Sequence, residues 1–135
     1  MPGLDKTTPI PTEIKLHQAS RKMEIAFDNG ARFELPCEFL RVYSPSAEVR
    51  GHGAGQEVLQ LGKKNIEIKS IEPVGTYAVL LTFSDGHNTG IYSWDYLYDL
   101  GEQYVTLWDR YLRRMEEAGA SREPLSGTPE RPKSK

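Results

Sequence analysis

His87 is the residue of this sequence whose position best suits metal ligation. It follows the turn "SDG", and Asp85 is the nearest carboxylate, so two groups of the kind that ligate zinc stand two positions apart. No second histidine or cysteine lies at ligand spacing, which favours an ordinary turn histidine hydrogen-bonded to backbone. A metal-binding module stays open as the alternative, with His52 and Cys37 joining these two residues on one zinc or iron ion.

Cys37 directly follows Pro36, at the start of a predicted helical turn. A helix N-terminus lowers a thiol pKa, and a cysteine with a distant histidine is the minimum for a nucleophile and its base. Nothing in the sequence places His52 or His87 beside Cys37, and a lone cysteine is more often a small core residue. We therefore predict no catalytic residue and expect that the chain is not an enzyme.

The segment "LRVYSPSAEVRGHGAGQ", residues 40–56, is too polar and glycine-rich for core. Arg41 and Arg50 are planar donors suited to carboxylate or phosphate, and the glycines at 51–55 free backbone amides for an anion. The Lys-Ser/Thr ending of a phosphate-binding loop is missing. The alternative is a structural loop in which Arg41 or Arg50 pairs with Glu48 over a sheet edge. The predicted binding surface consists of Arg41, Ser44, Ser46, Glu48, Arg50, His52 and, further along the chain, Trp94.

Trp94 belongs to a dense aromatic region that begins after the second predicted turn. Aromatic side chains beside arginine can form a surface for a protein partner, but more often they pack between a helix and a sheet. We assign Tyr104 and Trp108 to the core. For Trp94 both interpretations, partner surface and core, stay open.

The bulk properties of the chain limit the classes of protein to consider. Its 135 residues suffice for one domain, and 38% hydrophobic with 27% charged residues is ordinary for a soluble protein. A net charge of −2 gives no basic field for nucleic acid, and no apolar run approaches the length of a membrane span. One cysteine and the lack of an apolar leader indicate a cytoplasmic protein.

Hydrophobic periodicity predicts short strands on both sides of the loop. "EIKLHQ" and "KMEIAF" alternate polar and apolar residues, and "DNG" predicts a hairpin into "ARFEL". Pro36 then ends the strand and can open the helical turn "PCEFLRVY". After the loop we predict a strand over 65–71, a central strand in "GTYAVLLTF" and another strand in "TGIYSW".

The C-terminal part of the sequence changes to helical spacing, with apolar residues every three or four positions and Gly119 placed to end the helix. The predicted fold class is α+β: a small, mostly antiparallel β domain of hairpins with short helical turns and one C-terminal amphipathic helix. We place this single domain at 13–119. Residues 1–12 are predicted to form a flexible arm, and residues 120–135 a disordered tail.

Two segments of the chain echo each other. "AFDNGARFELPCEFL" and "TFSDGHNTGIYSWDYL" share a phenylalanine, an Asx-Gly turn, a returning strand and a helical turn with an aromatic residue and leucine. Two copies are fewer than a repeat architecture needs, and hairpins that lead into a helix are common. An internal duplication and this simpler interpretation both stay open.

Three motifs carry a family resemblance: "FDNGARFELPCEFLRVYSPSAEVRGHG", "IEPVGTYAVLLTFSDGHNTGIYSWDYL" and the tryptophan-bearing segment after them. Over about residues 13–112 the chain resembles the gamma-butyrobetaine hydroxylase-like N-terminal domain, long catalogued as a domain of unknown function. It is similar to the stand-alone bacterial form. The resemblance implies a small, mostly antiparallel β domain with helical segments.

The resemblance also bears on metal binding. In the carnitine-biosynthesis hydroxylases this domain binds a structural zinc through three cysteines and a histidine. His87 matches that histidine, but the cysteines should follow "FLR", where this chain has "VYSPSAEVRG", and Cys37 lies upstream of that place. We therefore expect no cofactor, with zinc or iron at His87 as the alternative. Polar pairing is expected to fasten the loop where relatives hold metal.

The expected function is that of a non-enzymatic accessory or binding domain linked to iron–sulfur or other metalloprotein maturation. The resemblance implies this because related domains are fused to Mrp-type P-loop ATPases that carry iron–sulfur clusters. A protein partner, for example such an ATPase, is therefore expected. The hydroxylases' catalytic domain for iron and 2-oxoglutarate has no room in 135 residues. The remaining alternative is a non-catalytic partner of a 2-oxoglutarate-dependent hydroxylase.

Overall fold

The computed structural model describes residues 8–50 and 58–123, and of Glu48 and Arg50 only the backbone. The predictions for these two side chains, for His52 and for the loop glycines therefore lie outside the described residues, as do those for 1–7 and 124–135. The described elements, in chain order, are β1 (Pro11–His17), β2 (Lys22–Phe27), β3 (Arg32–Pro36), α1 (Cys37–Val42), α2 (Ala47–Arg50), β4 (Ile68–Val74), β5 (Ala78–Phe83), β6 (Ile91–Ser93), α3 (Trp94–Glu102) and α4 (Tyr104–Glu117).

The first three strands form an antiparallel sheet with β2 in the centre. Gly30, at a φ of 91°, makes the β2–β3 turn, and Oδ1 of Asn29 accepts the backbone N–H of Ala31 at 3.0 Å. The hairpin predicted from "DNG" is confirmed, because this turn chemistry is local and needs no support from the rest of the chain.

The second sheet is also antiparallel and has the order β4-β5-β6. The predicted central position of "GTYAVLLTF" is confirmed, and four of the six residues of β5 are buried. The strand predicted over 65–71 begins later, at Ile68, and extends to Val74. It contains Pro73, which an edge strand tolerates because one side of that strand needs no backbone donor.

The C-terminal helical region consists of two helices, α3 and α4, where one amphipathic helix was predicted. Gln103, with φ −106° and ψ 15°, ends α3 and precedes α4. Gly101 lies just before this break, and the ring of Phe33 packs so close that a Cβ on Gly101 would lie 2.4 Å from it. The break lets α3 pack on β3 while α4 packs on α1, where Tyr104 and Trp108 contact the ring of Phe39.

One core lies between the two sheets and the helices. Tyr104 and Trp108, assigned to the core from the sequence, are half-buried and pack against it. The side chain of Tyr92 is fully buried in this core. Its hydroxyl donates to the carbonyl of Leu40 at 2.6 Å, so the buried polar group has a hydrogen-bond partner. The fully buried side chains include Met23, Ile25, Leu35, Phe39, Leu81, Phe83 and Leu97.

The sequence echo corresponds to two hairpins with the same hydrogen bonds. The N–H of Phe27 donates to the carbonyl of residue 31, and the carbonyl of Phe27 accepts the N–H of Gly30. Phe83 makes the same two bonds with residue 87 and Gly86. In both turns the Asx side chain before the glycine accepts the N–H of the residue after it. The first strand of each sheet, β1 or β4, also carries a register shift next to its pairing with this phenylalanine. The β-β-β-α arrangement thus occurs twice, which favours the internal duplication.

Residues 120–123, at the start of the predicted tail, contact the folded unit. Arg122 donates from Nε and Nη2 to the two carboxylate oxygens of Glu38, both at 2.8 Å. Its guanidinium also lies 5.2 Å from the ring centre of Trp108. The backbone carbonyls of Ser121 and Arg122 accept N–H groups of residues 62 and 64. These contacts extend the folded unit to at least residue 123.

Candidate functional site

A buried hydrogen bond joins the β5–β6 turn to the segment that follows α1. Nε2 of His87 lies 2.9 Å from Oγ of Ser44, and both residues are buried. Gly86 makes the turn at a φ of 89°, which places His87 directly after it. Since the two residues are 43 positions apart, this bond fastens the segment after α1 to the second sheet.

Asp85 is the centre of the ion pairs in the same turn. Its Oδ2 accepts from Nε of Arg41 at 2.9 Å and from Nζ of Lys63 at 2.6 Å, while Oδ1 accepts the backbone N–H of His87 at 3.1 Å. Partial burial raises the pKa of Asp85, but Lys63, the backbone N–H and Arg41 outweigh this effect and lower the pKa to about 2. The carboxylate is therefore charged at neutral pH.

Arg41 comes from the last turn of α1 and is only 7% exposed. A buried guanidinium requires partners, and Arg41 has Asp85 at Nε and the side-chain oxygen of Gln60 at Nη1, 3.0 Å away. The predicted alternative, a pair of Arg41 or Arg50 with Glu48, involves side chains of residues 48 and 50 that lie outside the described part of the chain. Among the described side chains, Arg41 pairs with the carboxylate of Asp85, so α1 is tied to the β5–β6 turn.

Ser46 and Gly90 complete this junction. Oγ of Ser46 lies 2.8 Å from Oγ1 of Thr89, and the N–H of Ser46 donates to Oγ of Ser44 at 3.2 Å. A Cβ on Gly90 would lie 2.4 Å from Oγ of Ser44, so the close approach requires glycine. We refer to the group that joins these two parts of the chain, namely Arg41, Ser44, Ser46, Asp85, His87 and Thr89, as the polar clasp.

The pair of Ser44 and His87 has the heavy-atom spacing of a nucleophile and its general base. Accessibility argues against that role, because Ser44 is only 1% exposed and the backbone of Gly90 closes over its hydroxyl. Oγ of Ser44 also accepts the N–H of Ser46, which orders the turn. The chemistry that this arrangement supports is structural hydrogen bonding.

The structure brings together four of the predicted site residues and separates one. Arg41, Ser44, Ser46 and His87 meet in the polar clasp, and all four are buried. Their assignment to a binding surface stays a prediction, and their burial favours the alternative of a structural loop. Trp94 lies at the other end of the second sheet, where its Nε1 donates to the carbonyl of residue 76 at 2.8 Å.

Three polar residues here were not predicted from the sequence: Thr89, which belongs to the clasp, and Lys63 and Gln60, which bond to its members Asp85 and Arg41. Each is an ordinary polar residue in a loop, and its partner is 22, 19 or 43 positions away along the chain. No spacing rule connects such residues before the fold is known. One feature of the sequence did point to such a contact: the turn "SDG" presents the carboxylate of an aspartate, to which a lysine or arginine of a loop can bond.

The side chains of the described residues that could ligate a metal do not cluster. No group of three or more His, Cys, Asp or Glu side chains in residues 8–50 and 58–123 could hold an ion. Nε2 of His87 already bonds to Ser44, and Asp85 is held by two cations. Cys37 is buried in the main core, where burial raises the pKa of its thiol and so disfavours the thiolate that binds metal.

Both sheets, the clasp and the first turn of α3 lie in the part of the chain that matches a known family. The family model described as gamma-butyrobetaine hydroxylase-like, N-terminal, matches residues 14–98. The chain belongs to this family. It has no match among curated proteins. In this gamma-butyrobetaine hydroxylase-like domain, the match ends within α3, so α4 and residues 120–123 lie beyond it.

Solved structures show the same fold at substantial sequence identity. One NMR solution structure is 58% identical, with 90% of each chain covered and a TM-score of 0.77. Another is 44% identical and has a TM-score of 0.76 over 92% of this chain and 98% of that one. A crystal structure of a protein of unknown function from Acidithiobacillus ferrooxidans ATCC 23270, a member of the DUF971 family, is 41% identical and has a TM-score of 0.57.

The match with the Acidithiobacillus ferrooxidans protein covers 67% of this chain and 91% of that one. That protein therefore consists of little more than the domain itself, which agrees with the predicted stand-alone form. In the described part of this chain, no helix has both the length and the apolar character needed to cross a bilayer.

Proposed function

We propose that this gamma-butyrobetaine hydroxylase-like domain is a non-enzymatic accessory domain that binds a protein partner. The observation that carries the proposal is that the reactive side chains of the domain are already buried or bonded to other groups within the fold. His87 bonds to Ser44, Asp85 is neutralised by two cations, and the thiol of Cys37 is buried. With these groups engaged, the domain would act through its surface, and the clasp would hold the shape of that surface where relatives use zinc.

A partner surface is proposed at the end of the second sheet around Trp94. Ile91 and Tyr77 are 47% and 37% exposed, and Trp94, which directly follows β6, is half-buried, so each leaves apolar surface uncovered. The N–H of Trp94 donates to the carbonyl of Tyr77 at 3.0 Å, so the aromatic residues are held rigidly. Rigid aromatic and aliphatic groups of this kind are typical anchors of protein interfaces.

The proposed partner is a P-loop ATPase that carries iron–sulfur clusters. The resemblance supports this partner, because related domains are fused to such ATPases. Fusion holds the two domains next to each other, and two separate chains would have to bind in order to be equally close. A cytoplasmic location would follow, since such carriers work where thiols stay reduced.

The test is direct binding between the purified domain, without a histidine tag, and the purified P-loop iron–sulfur carrier ATPase of the same organism. We expect binding that Ile91→Asp weakens at least about tenfold, because a charge would be buried at the interface. Val105→Asp is the matched control: Val105 is 78% exposed on α4, away from the proposed surface, and should leave binding unchanged. Lack of binding, or equal binding by both variants, would contradict the proposal.

Metal analysis of the same preparation distinguishes the alternative of a metal-binding module. We expect less than one zinc or iron per ten chains, and no change of melting temperature after dialysis against a chelator. A stoichiometric metal that His87→Ala removes would instead establish the module. Turnover of a trimethylammonium acid with iron and 2-oxoglutarate by this chain alone would contradict the proposal that it is not an enzyme.

A further inference from the structure

The strand β1 forms one side of the first sheet. In the described part of the chain it pairs with β2 and with no other strand, from Pro11 to His17. In an antiparallel ladder, alternate residues of such a strand direct N–H and C=O groups away from the paired neighbour. A row of unpaired backbone groups of this kind is a template for one more strand. The seven residues of β1 offer an edge about 24 Å long for that purpose.

The side chains of β1 that face the core are apolar and only partly covered. Ile14 and Leu16 are half-buried and pack against the main core. Soluble proteins commonly protect an outer strand with a charge that points inwards, with proline or with a bulge. In β1 the proline and the register shift both lie at its beginning, at Pro11 and before Glu13, so the ladder from Glu13 to His17 is regular. A strand added at this edge would cover Ile14 and Leu16 further.

The exposed face of β1 carries opposite charges two positions apart, on Glu13 and Lys15, which lie 3.3 Å from each other. Two antiparallel copies of one strand, related by a twofold axis, pair in registers that place one residue opposite its own copy. With Ile14 at the axis, Glu13 lies opposite Lys15 of the second copy, and the same pair forms again on the other side. With Glu13 or Lys15 at the axis, like charges would lie opposite each other, which destabilises a strand pair. The charges of β1 therefore complement a second β1 in one register.

We propose that β1 pairs with β1 of a second copy of this chain, antiparallel and centred on Ile14, so that two three-stranded sheets become one six-stranded sheet. Backbone hydrogen bonds and the further burial of Ile14 and Leu16 hold the pair together. The exposed ion pairs contribute little energy, but they select the register. Since β1 belongs to the first sheet and Trp94 follows the last strand of the second, this inference goes beyond the proposed accessory function. A failure of either one leaves the other intact.

The first experiment is a dilution series of the full chain, without a histidine tag, followed by analytical ultracentrifugation and by amide shifts in two-dimensional NMR spectra. We expect a monomer–dimer equilibrium with a Kd below about 1 mM. The amide shifts that change with concentration should fall in residues 11–17 and in β2. A chain that stays monomeric throughout this range, or association whose shifts fall outside these two strands, would overturn the proposal.

Charge reversal tests the register. Glu13→Lys should weaken self-association at least about fivefold, because it places like charges opposite each other on both sides of the axis. Lys15→Glu should do the same with the opposite sign. The two substitutions in one chain restore opposite charges, so the double variant should associate to within about twofold of wild type. An equimolar mixture of the two single variants should also form dimers, because each strand then faces the opposite charge.

Glu34→Lys is the matched control for Glu13→Lys. Glu34 is exposed on β3, the other outer strand of the same sheet, where it pairs with Lys22 at 3.8 Å. The substitution changes the net charge of the chain by the same amount and leaves β1 intact, so self-association should not change. All the substituted side chains are exposed, and circular dichroism should show the wild-type fold for each variant. Equal weakening by Glu13→Lys and Glu34→Lys, or a double variant that stays monomeric, would overturn the proposal.

Discussion

Oγ of Ser44 lies 2.9 Å from Nε2 of His87, and this buried hydrogen bond helps to connect the segment after α1 to the β5–β6 turn. Ser44→Ala leaves a buried imidazole nitrogen without this partner. The expected loss is about 1–3 kcal/mol of unfolding free energy, the usual penalty for an unsatisfied buried polar group. Urea denaturation followed by tryptophan fluorescence measures it.

Ser121→Ala is the matched control for this substitution. Oγ of Ser121 accepts the backbone N–H two residues ahead at 3.0 Å, as Oγ of Ser44 does at 3.2 Å, but Ser121 is exposed. Ser121→Ala should lower the unfolding free energy by less than about 0.5 kcal/mol, because water can take the place of the exposed hydroxyl. If both variants lose the same stability, the bond to His87 contributes nothing and the clasp is not what fastens this segment.

Asp85 should make the stability of the domain depend on pH in the acid range. Its pKa is about 2 in the folded protein, against an ordinary value of 3.8. Because the folded pKa is depressed, the stabilisation is present above pH 4–5 and is lost as the pH falls through the folded pKa near 2. The shift corresponds to about 1–2 kcal/mol after allowance for solvent screening.

Asp85→Asn tests this dependence when unfolding free energies of variant and wild type are compared at several pH values. The difference should be largest near pH 7 and should shrink towards pH 2, where the wild-type carboxyl is protonated as well. Asp109→Asn, which loses an exposed pair with Arg113, should differ from wild type by less than about 0.5 kcal/mol throughout. A difference for Asp85→Asn that is independent of pH would show that the ion pairs are not its cause.

Much of the fold was predictable because its turns are specified locally. "DNG" and "SDG" each supply an Asx acceptor and a glycine that adopts positive φ, at 91° for Gly30 and 89° for Gly86. The alternation of apolar residues around these turns then sets which faces of the strands are buried. The break at Gln103 was not predictable in this way, because apolar spacing continues across it. The close packing of the ring of Phe33 on Gly101, just before the break, depends on a residue of β3 that is far away in the sequence.

The sequence allowed us to predict which residues belong to the candidate site better than which residues they contact. Arg41, Ser44 and Ser46 were singled out in the polar segment 40–56, and His87 as the histidine after the turn "SDG", and they do meet. Their partners depend on tertiary structure, as the pairing of Arg41 with Asp85 across 44 positions shows. Composition predicted a tail from residue 120, but it could not reveal the partner that Arg122 has in Glu38.

Arg122 and Glu38 should make residues 120–123 important for stability. Glu38 is 6% exposed, and Arg122→Ala leaves its carboxylate buried without the bidentate partner. We expect a loss of about 2–3 kcal/mol, below the range for fully buried pairs because Arg122 is partly exposed. Lys64→Ala removes the exposed pair with Glu123 in the same segment and should lose less than about 0.5 kcal/mol. Urea denaturation of the three proteins decides between a structural strap and a dispensable tail.

Cys37 should be chemically silent until the domain opens. The residue is 1% exposed, and burial raises the pKa of its thiol, so both access and ionisation are reduced. We expect the native protein to react with a chromogenic disulfide reagent at least about a hundredfold more slowly than an exposed thiol, because reaction must await an opening of the core. The thiol introduced by Ser121→Cys in a Cys37→Ser background provides the exposed reference, and guanidinium should make the two rates equal. Rapid labelling of Cys37 in the native protein would show that the thiol is accessible, and would return it to the candidates for metal binding or catalysis.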